Sequence, residues 1–266
     1  MRPLFSLFCL FILLPAGFAA GQDIVSFTEP YRSVDVASTE MGTIREIAVE
    51  EGEKIRKGQL VAKLDDRVLR SALQLAEQAA KSKGQLHASA AELKVREEQF
   101  SKLVALHERG HASNSELDRA KTQLQQARSQ LEAAEDNLRL KSLEKQRIEK
   151  QLELLQLRAP FAGWVNRIHK ESGAYVSLYE PEIIELVQLN VLKVEFSVPH
   201  QVAAQLTVGD SVTLRIGRQA PETAEGEIRF ISPVVDAQTG TSRVKVRIQN
   251  PNLRFRAGVS CLLVIE

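Results

Sequence analysis

Three spacings of hydrophobic residues follow one another along the chain. Around Gly42 and again around Gly163, apolar residues fall at short, strand-like offsets. Between these stretches, from Arg67 to Leu157, apolar positions recur at alternating steps of three and four. Beyond Leu189 the period drops to two. A period near 3.5 describes one face of a helix and a period of two one face of a strand, so the pattern predicts a long helical segment set between β regions.

The helical segment divides into two arms. One runs through Leu69, Ala72, Ala76, Ala79, Leu86, Ala90, Leu93, Phe100 and Val104, the other through Leu117, Leu124, Leu131, Leu138, Ile148, Leu152 and Leu155. Gly84 is the only glycine before the turn near Gly110, and the segment holds no proline. A strict seven-residue repeat makes a seam between helices with left-handed supercoil. Asp65 or Asp66 is placed to cap the first arm, and Gly110 suits the left-handed position after it. Ser113 and Glu116 form a capping box for the second arm, and Pro160 follows its end. Each arm is about 40 residues, roughly 60 Å at 1.5 Å per residue. With apolar residues along one seam only, the hairpin is expected to hold itself together, project into solvent and serve as reach. Charged residues break the seam at Lys83, Glu97, Lys141 and Lys145. Lys83 and Lys141 come to similar heights, which predicts a loosely packed, hydrated midsection.

The two β stretches are copies of each other. Gly42, Ile44, Ile47, Gly52 and Ile55 take the same offsets as Gly163, Val165, Ile168, Gly173 and Val176. An internal repeat of this kind constrains a fold more than a single motif does, and the glycines suit turns or close backbone approaches. Neither half is long enough to bury a core, so the hairpin is read as an insertion into one small β module. Downstream, Leu192 to Val198, Val212 to Ile216, Val244 to Ile248 and Val259 to Leu263 alternate as half-buried strands. They suit a small barrel, which leaves no exposed edge. One short helix is expected over His200 to Leu206, and Val25, Phe27, Val34 and Val36 are expected to supply a further strand.

Composition removes several function classes. The 266 residues carry a net charge of +1, with 26% charged and 5% aromatic residues, which gives no clustered basic footprint for nucleic acid. Arg2, the apolar run Leu4 to Leu14, Pro15, Gly17 and Ala19 read as a secretory signal cleaved after Ala19. Cys9 is then discarded, and Cys261 is left alone as a buried thiol without a disulfide partner. Acidic residues are spread among Lys and Arg along helix faces, no nucleophile and base can be assembled, and the chain is read as a non-enzyme without cofactor. His107 and His111 near the turn are four apart, but Gly110 separates them and no third donor completes a set, so no metal site is assigned.

The residues now on the page resemble the periplasmic adaptor, or membrane fusion protein, family (HlyD-like, RND efflux periplasmic adaptor subunits). The resemblance rests on Gly42-Thr43-Ile44 through Gly58-Gln59-Leu60, on Leu157-Arg158-Ala159-Pro160-Phe161-Ala162-Gly163 through Gly173 and Val176, and on two barrel stretches. These are Asp236 to Val246, with Thr239 and Thr241, and Asn250-Pro251 leading to Arg256-Ala257-Gly258-Val259, where Ala257 stands in place of the usual proline. It implies an elongated α+β fold: residues 1–19 signal peptide, 20–36 N-terminal barrel strand region, 37–66 first half of a lipoyl-like domain, 67–157 α-helical hairpin, 158–190 second lipoyl-like half, and 191–266 β-barrel. Gly42, Gly52, Gly163 and Gly173 would be the structural turns of the repeat. Family members dock on an outer-membrane channel through an Arg-x3-Leu-x6-Ser pattern at the hairpin tip, for which this chain offers Lys102, Leu106 and Ser113. Lysine keeps the charge but loses the bidentate fork. The resemblance implies a non-catalytic, hexameric conduit in the periplasm, partnered by an inner-membrane RND pump and an outer-membrane channel, with an ABC-type exporter or type I secretion system as the alternative transporter. Because the last barrel strand reaches Glu266, a family domain nearest the membrane is expected to be missing. A lipoyl or biotinyl carrier domain is the remote alternative from another class, and it lacks the exposed lysine turn, which the hairpin replaces.

Overall fold

The structure, a computed structural model, describes residues 24–264, and the expected signal peptide lies outside them. The elements in chain order are β1 (Ile24–Ala37), β2 (Gly42–Ile47), β3 (Lys54–Ile55), β4 (Leu60–Leu64), α1 (Arg67–Lys81), α2 (Gly84–Glu108), α3 (Asn114–Leu154), β5 (Gln156–Arg158), β6 (Gly163–Ile168), β7 (Tyr175–Val176), β8 (Glu182–Pro199), α4 (His200–Ala203), β9 (Ser211–Ile216), β10 (Glu222–Asp236), β11 (Thr241–Gln249) and β12 (Ser260–Val264). They form two compact units. One comprises Arg32–Gln188, and the other joins the strand residues up to Tyr31 with the chain from Leu189 onward.

In the first unit the two sequence repeats complete each other. Gly42 of β2 is opposite Val176 of β7, while Ile55 of β3 is opposite Gly163 of β6, so each half's long strand pairs with the other half's short one. The flanking hydrogen bonds are reciprocal as well. The Ile44 N–H donates to the Ala174 carbonyl and the Gly173 N–H to the Ile44 carbonyl, both at 2.8 Å. In the other half, the Val165 N–H donates to the Glu53 carbonyl at 3.0 Å and the Gly52 N–H to the Val165 carbonyl at 2.8 Å. Ile44, Ile55, Val165 and Val176, the residues that matched in sequence, are at most 1% exposed and share one core with Val61, Leu64, Ile184 and Leu186. Burial of each such side chain contributes about 1.5–3 kcal/mol.

The four glycines of the repeat divide into two kinds. Gly52 and Gly173 sit in turns with φ of 84° and 91°, which only glycine adopts at no steric cost. Gly42 and Gly163, also expected at turns, instead open strands β2 and β6. What they provide is a close approach: a Cβ on Gly163 would overlap the Val187 carbonyl oxygen, and one on Gly42 would crowd Leu64 Cδ2 at 3.3 Å.

The hairpin leaves the module between two paired strands. β4 lies beside β5, with Lys63 opposite Gln156, and the Leu64 N–H donates to the Leu155 carbonyl at 2.9 Å. Both arms therefore begin side by side. The second arm ends at Leu154, before the expected position 157, because Leu155 and Leu157 are drawn into the β core and Gln156–Arg158 pair with β4. Where one unbroken first arm was expected, two helices occur, α1 and α2, parted at Ser82 and Lys83. Both pack against α3, whose Ala120, Leu124, Ala127, Ala134 and Ile148 are buried on the expected seam. The expectation of a single apolar seam fails near the base, where Val68, Leu75, Leu140 and Leu143 are 53–83% exposed.

In the second unit the strands run in the order β1-β12-β9-β10-β11-β8, and a β1–β8 pairing returns to the start, which makes a closed barrel. The period-two residues of β8 point inward without exception: Leu192, Val194, Phe196 and Val198 are fully buried. The short helix α4 stops at Ala203 rather than Leu206. β1 supplies the expected additional strand: Val25 and Phe27 are 59% and 60% exposed, while Ile24, Thr28 and Val36 are buried. Hydroxyls occupy part of its inner face. Ser26 Oγ donates to the Glu195 carbonyl at 2.6 Å, and Thr28 Oγ1 donates to the Arg256 carbonyl at 2.8 Å and accepts from the Val259 N–H at 3.1 Å. The buried hydroxyl of Thr28 is thus paired with backbone groups.

Gly163→Ala is expected to destabilise the chain by about 1–3 kcal/mol, the usual cost of forcing a methyl into filled space. Urea denaturation measures it, and an unchanged midpoint would contradict the close approach.

Candidate functional site: hairpin tip and hairpin root

At the tip, the backbone of the turn is closed by its own hydrogen bonds. Gly110, at φ 75°, follows the last turn of α2. Its N–H donates to the His107 carbonyl at 2.9 Å, and the His111 N–H donates to the Leu106 carbonyl at 2.8 Å, which together make a Schellman motif. His107 Nδ1 lies 2.8 Å from the Ala112 carbonyl, and since a carbonyl only accepts, that nitrogen carries the proton. α3 then starts with the expected capping box: Ser113 Oγ accepts from the Glu116 N–H at 3.3 Å, and the Ser113 N–H donates to Glu116 Oε2 at 2.8 Å. The Ser113 N–H, and after it the Ser113 hydroxyl, hold the Glu116 carboxyl below its usual range.

The three residues matched to the docking pattern lie on this frame. Lys102 and Leu106 are exposed one helical turn apart on α2, with Leu106 43% open to solvent. Ser113 is across the turn, and its hydroxyl already serves Glu116 in both directions. The structure therefore brings Lys102 and Leu106 onto one helix face and gives Ser113 a structural task. Among the described residues no three His, Cys, Asp or Glu side chains are grouped to hold a metal ion.

At the root, the geometry supplies a residue whose role the sequence reading missed. Asp66 occupies the N-cap of α1 but makes no cap hydrogen bond with its side chain. Asp65 does that instead, with Oδ1 accepting from the Arg67 N–H at 3.1 Å. The Asp66 carboxylate, 1% exposed, turns inward and meets Arg45 Nη1 of β2 at 3.0 Å, Lys63 Nζ of β4 at 2.9 Å and Arg70 Nε of α1 at 2.7 Å. Burial pushes its pKa up, but hydrogen bonds from Lys63 and Arg70, and then their charges, outweigh burial and hold it at about 2. One carboxylate so joins two strands to the first helix of the hairpin. The signal for it was present in the sequence as Lys63 at i−3 and Arg70 at i+4 of an aspartate placed where strand gives way to helix.

Between root and tip the packing changes. Near the tip, Arg96 Nη1 reaches Gln123 Oε1 at 3.4 Å and Arg128 Nη2 reaches Glu97 Oε1 at 3.6 Å, so the seam-breaking Glu97 becomes a cross-helix clasp. At mid-height a groove of about 570 Å³ runs along the hairpin, where Gln85, Asn137 and Lys141 flank the apolar Leu86, Ala134 and Leu138. Its polar rim includes Lys141, whereas Lys83 does not line it, and buried Ala134 keeps the seam packed at this height.

A barrel-sandwich module split by a helical hairpin and continued by a β-barrel defines the class of protein: an adaptor-type barrel-sandwich hybrid. The family description "RND MFP, barrel-sandwich hybrid domain" matches residues 32–188, and "CusB-like, beta-barrel domain" matches residues 193–265. The chain belongs to the RND membrane fusion protein family. It is 28% identical over 236 residues to the nodulation protein NolF of Rhizobium meliloti, which covers 89% of this chain and 60% of that protein. It is 27% identical over 225 residues to the multidrug resistance protein MdtA of Photorhabdus laumondii, covering 81% of this chain and 52% of that one. The chain therefore spans little more than half the length of these relatives. Its fold resembles the crystal structure of MacA from Actinobacillus actinomycetemcomitans, with a TM-score of 0.79 at 20% identity over 92% of this chain and 78% of that one.

Because the Asp66 pKa is depressed, its contribution to stability is present above the ordinary value of 3.8 and is lost as pH falls towards about 2. Asp66→Asn is expected to cost about 2–4 kcal/mol at pH 7. The gap between wild type and variant should close between pH 4 and pH 2 in acid-titrated thermal melts. A gap independent of pH would refute the ion-pair account.

Proposed function

We propose that this chain is a periplasmic adaptor subunit that couples an inner-membrane transporter of the RND class to an outer-membrane channel, and that it contributes structure rather than catalysis. The observation that carries this reading is the hairpin itself: both arms rise from paired strands of one interlocked module, and the tip is a closed turn with exposed Lys102 and Leu106. A long projection with a solvent-facing end has no purpose inside its own domain, whereas it suits docking on a second protein. The family description favours an RND partner, and relatives such as MdtA carry names that refer to multidrug resistance.

In this reading Lys102 and Leu106 form the docking face, and Ser113 keeps the turn in shape through its cap. Among the described residues no helix is long and apolar enough to cross a membrane. Export by the signal over residues 1–19 would place the chain in the periplasm, where copies assemble into a ring, six by family analogy, around the transported substrate. Energy would come from the transporter.

Two variants test the tip. Leu106→Asp would place a desolvated carboxylate at the docking face. It is expected to reduce export by the cognate transporter more than tenfold, while far-UV circular dichroism and the melting temperature stay close to wild type. Undiminished export would refute the docking assignment. Ser113→Ala should cost about 1 kcal/mol of stability through the lost cap, and Ser113→Thr, which keeps the hydroxyl that Glu116 bonds, should keep both stability and export. Loss of export in Ser113→Thr with stability unchanged would overturn the assignment of this position to the cap alone.

A further inference from the structure

The first arm of the hairpin is interrupted, while the second is not. α1 ends at Lys81, Ser82 takes an extended ψ of 97°, and α2 restarts after Lys83, against an α3 that runs unbroken for 41 residues. The two helix ends at the junction are finished poorly. At the end of α1 the Ser82 N–H reaches the Ala79 carbonyl only at 3.3 Å, and at the start of α2 Lys83 makes no cap hydrogen bond with its side chain. Proline is absent, so the interruption has another cause. Lys83 falls on the seam, where a charged side chain is costly to bury, and Gly84 next to it lowers helix propensity relative to alanine.

The heptad phase is nevertheless kept across the junction. Ala79 and Leu86 are one heptad apart, so α2 resumes on the seam that α1 left. A break that keeps the heptad spacing, with both helices packed on the same α3, is not needed to route the chain.

What flanks the break differs on its two sides. On the root side Asp66 fixes α1 to β2 and β4, and among the described residues no ion pair or hydrogen bond between side chains crosses from α1 to α3. α1 has no buried residue, and Ile148 is the one buried α3 residue at that end. On the tip side α2 is clasped to α3 through Arg96 and Glu97, over buried Ala120, Leu124 and Ala127. The groove beside Lys141 lies between these two regimes.

We propose that the Ser82–Lys83 junction is a flexure that lets the tip half of the hairpin tilt on a root half held by Asp66. The mechanics follow from a two-helix beam. Bending it requires one arm to shorten or lengthen against the other, and a continuous helix resists this because every turn is hydrogen-bonded. A two-residue gap beside an open groove absorbs the change in length, while α3 remains the continuous spine. The groove gives Lys141, Gln85 and Asn137 room to move and water to solvate them. This inference concerns the hairpin alone and holds whether or not the adaptor reading does.

The test is a distance distribution. Spin labels at Gln74→Cys and Glu98→Cys, both exposed, span the junction at about 36 Å along a straight helical arm. A Cys9→Ser background, with Cys261 buried, leaves no competing site. In the purified chain, double electron–electron resonance should give a broad distribution with the native junction. In Ser82→Ala/Lys83→Leu/Gly84→Ala, which restores the apolar seam and helix propensity, the width should fall at least twofold, with Gly84→Ala alone intermediate. A narrow distribution with the native junction would overturn the proposal, as would a width that the triple substitution leaves unchanged.

Discussion

The structure depends on a reciprocity between two segments more than 100 residues apart in the chain. Ile44 and Val165 each bond through both N–H and C=O to the other half's glycine turn, Ile44 to Gly173 and Ala174, Val165 to Gly52 and Glu53. A buried backbone group left unpaired costs as much as a lost hydrogen bond, so neither half is a stable object by itself. The core follows the same logic, since Ile55 of one half seals beneath Gly163 of the other. Whatever lies between the halves in sequence must therefore begin and end at one place.

That condition makes a long insertion tolerable. The closure entropy of a loop grows only slowly with its length, and here the ends are already fixed side by side by the β4–β5 pairing. Asp66 then determines the direction in which the first arm leaves, because its carboxylate contacts two strands and a helix at once. A buried ion pair is weak evidence for net stability, but removing one partner leaves charges stranded, so such a cluster is good at excluding alternatives. Orientation of the hairpin, rather than strength, is what this cluster supplies. Farther out, alanine and leucine on α3 and the Arg96 and Glu97 clasp hold the arms together, while the tip is closed by backbone and cap bonds that need no partner.

Polar residues at apolar positions recur throughout the chain, with different outcomes. Glu97 interrupts the seam and becomes a cross-helix contact. Lys141 interrupts it and lines a groove. Ser26 and Thr28 turn their hydroxyls inward on β1 and donate to the carbonyls of Glu195 and Arg256. Each outcome depends on whether a partner of the right chemistry stands opposite, which spacing along one strand or helix does not report.

The sequence by itself determined the repeat, the two arms, the turn at Gly110 with its Ser113 cap, and the inward alternation from Leu192 to Val198. These are local matters of period, capping and left-handed glycines, and they lie within a few residues of their cause. Lys102, Leu106 and Ser113 were legible as a spaced pattern near the turn, and the structure gave two of them one face and the third a structural partner. The tertiary structure alone decided that Gly42 and Gly163 mark close approaches rather than turns, that β1 faces the hydroxyls of Ser26 and Thr28 inward, and that Asp66 is buried among three cations. The physical reason is common to all three. Each is set by a group distant in sequence, Val187, Glu195 and Arg45 respectively, and a pattern along one chain carries no distance between residues that only folding brings together.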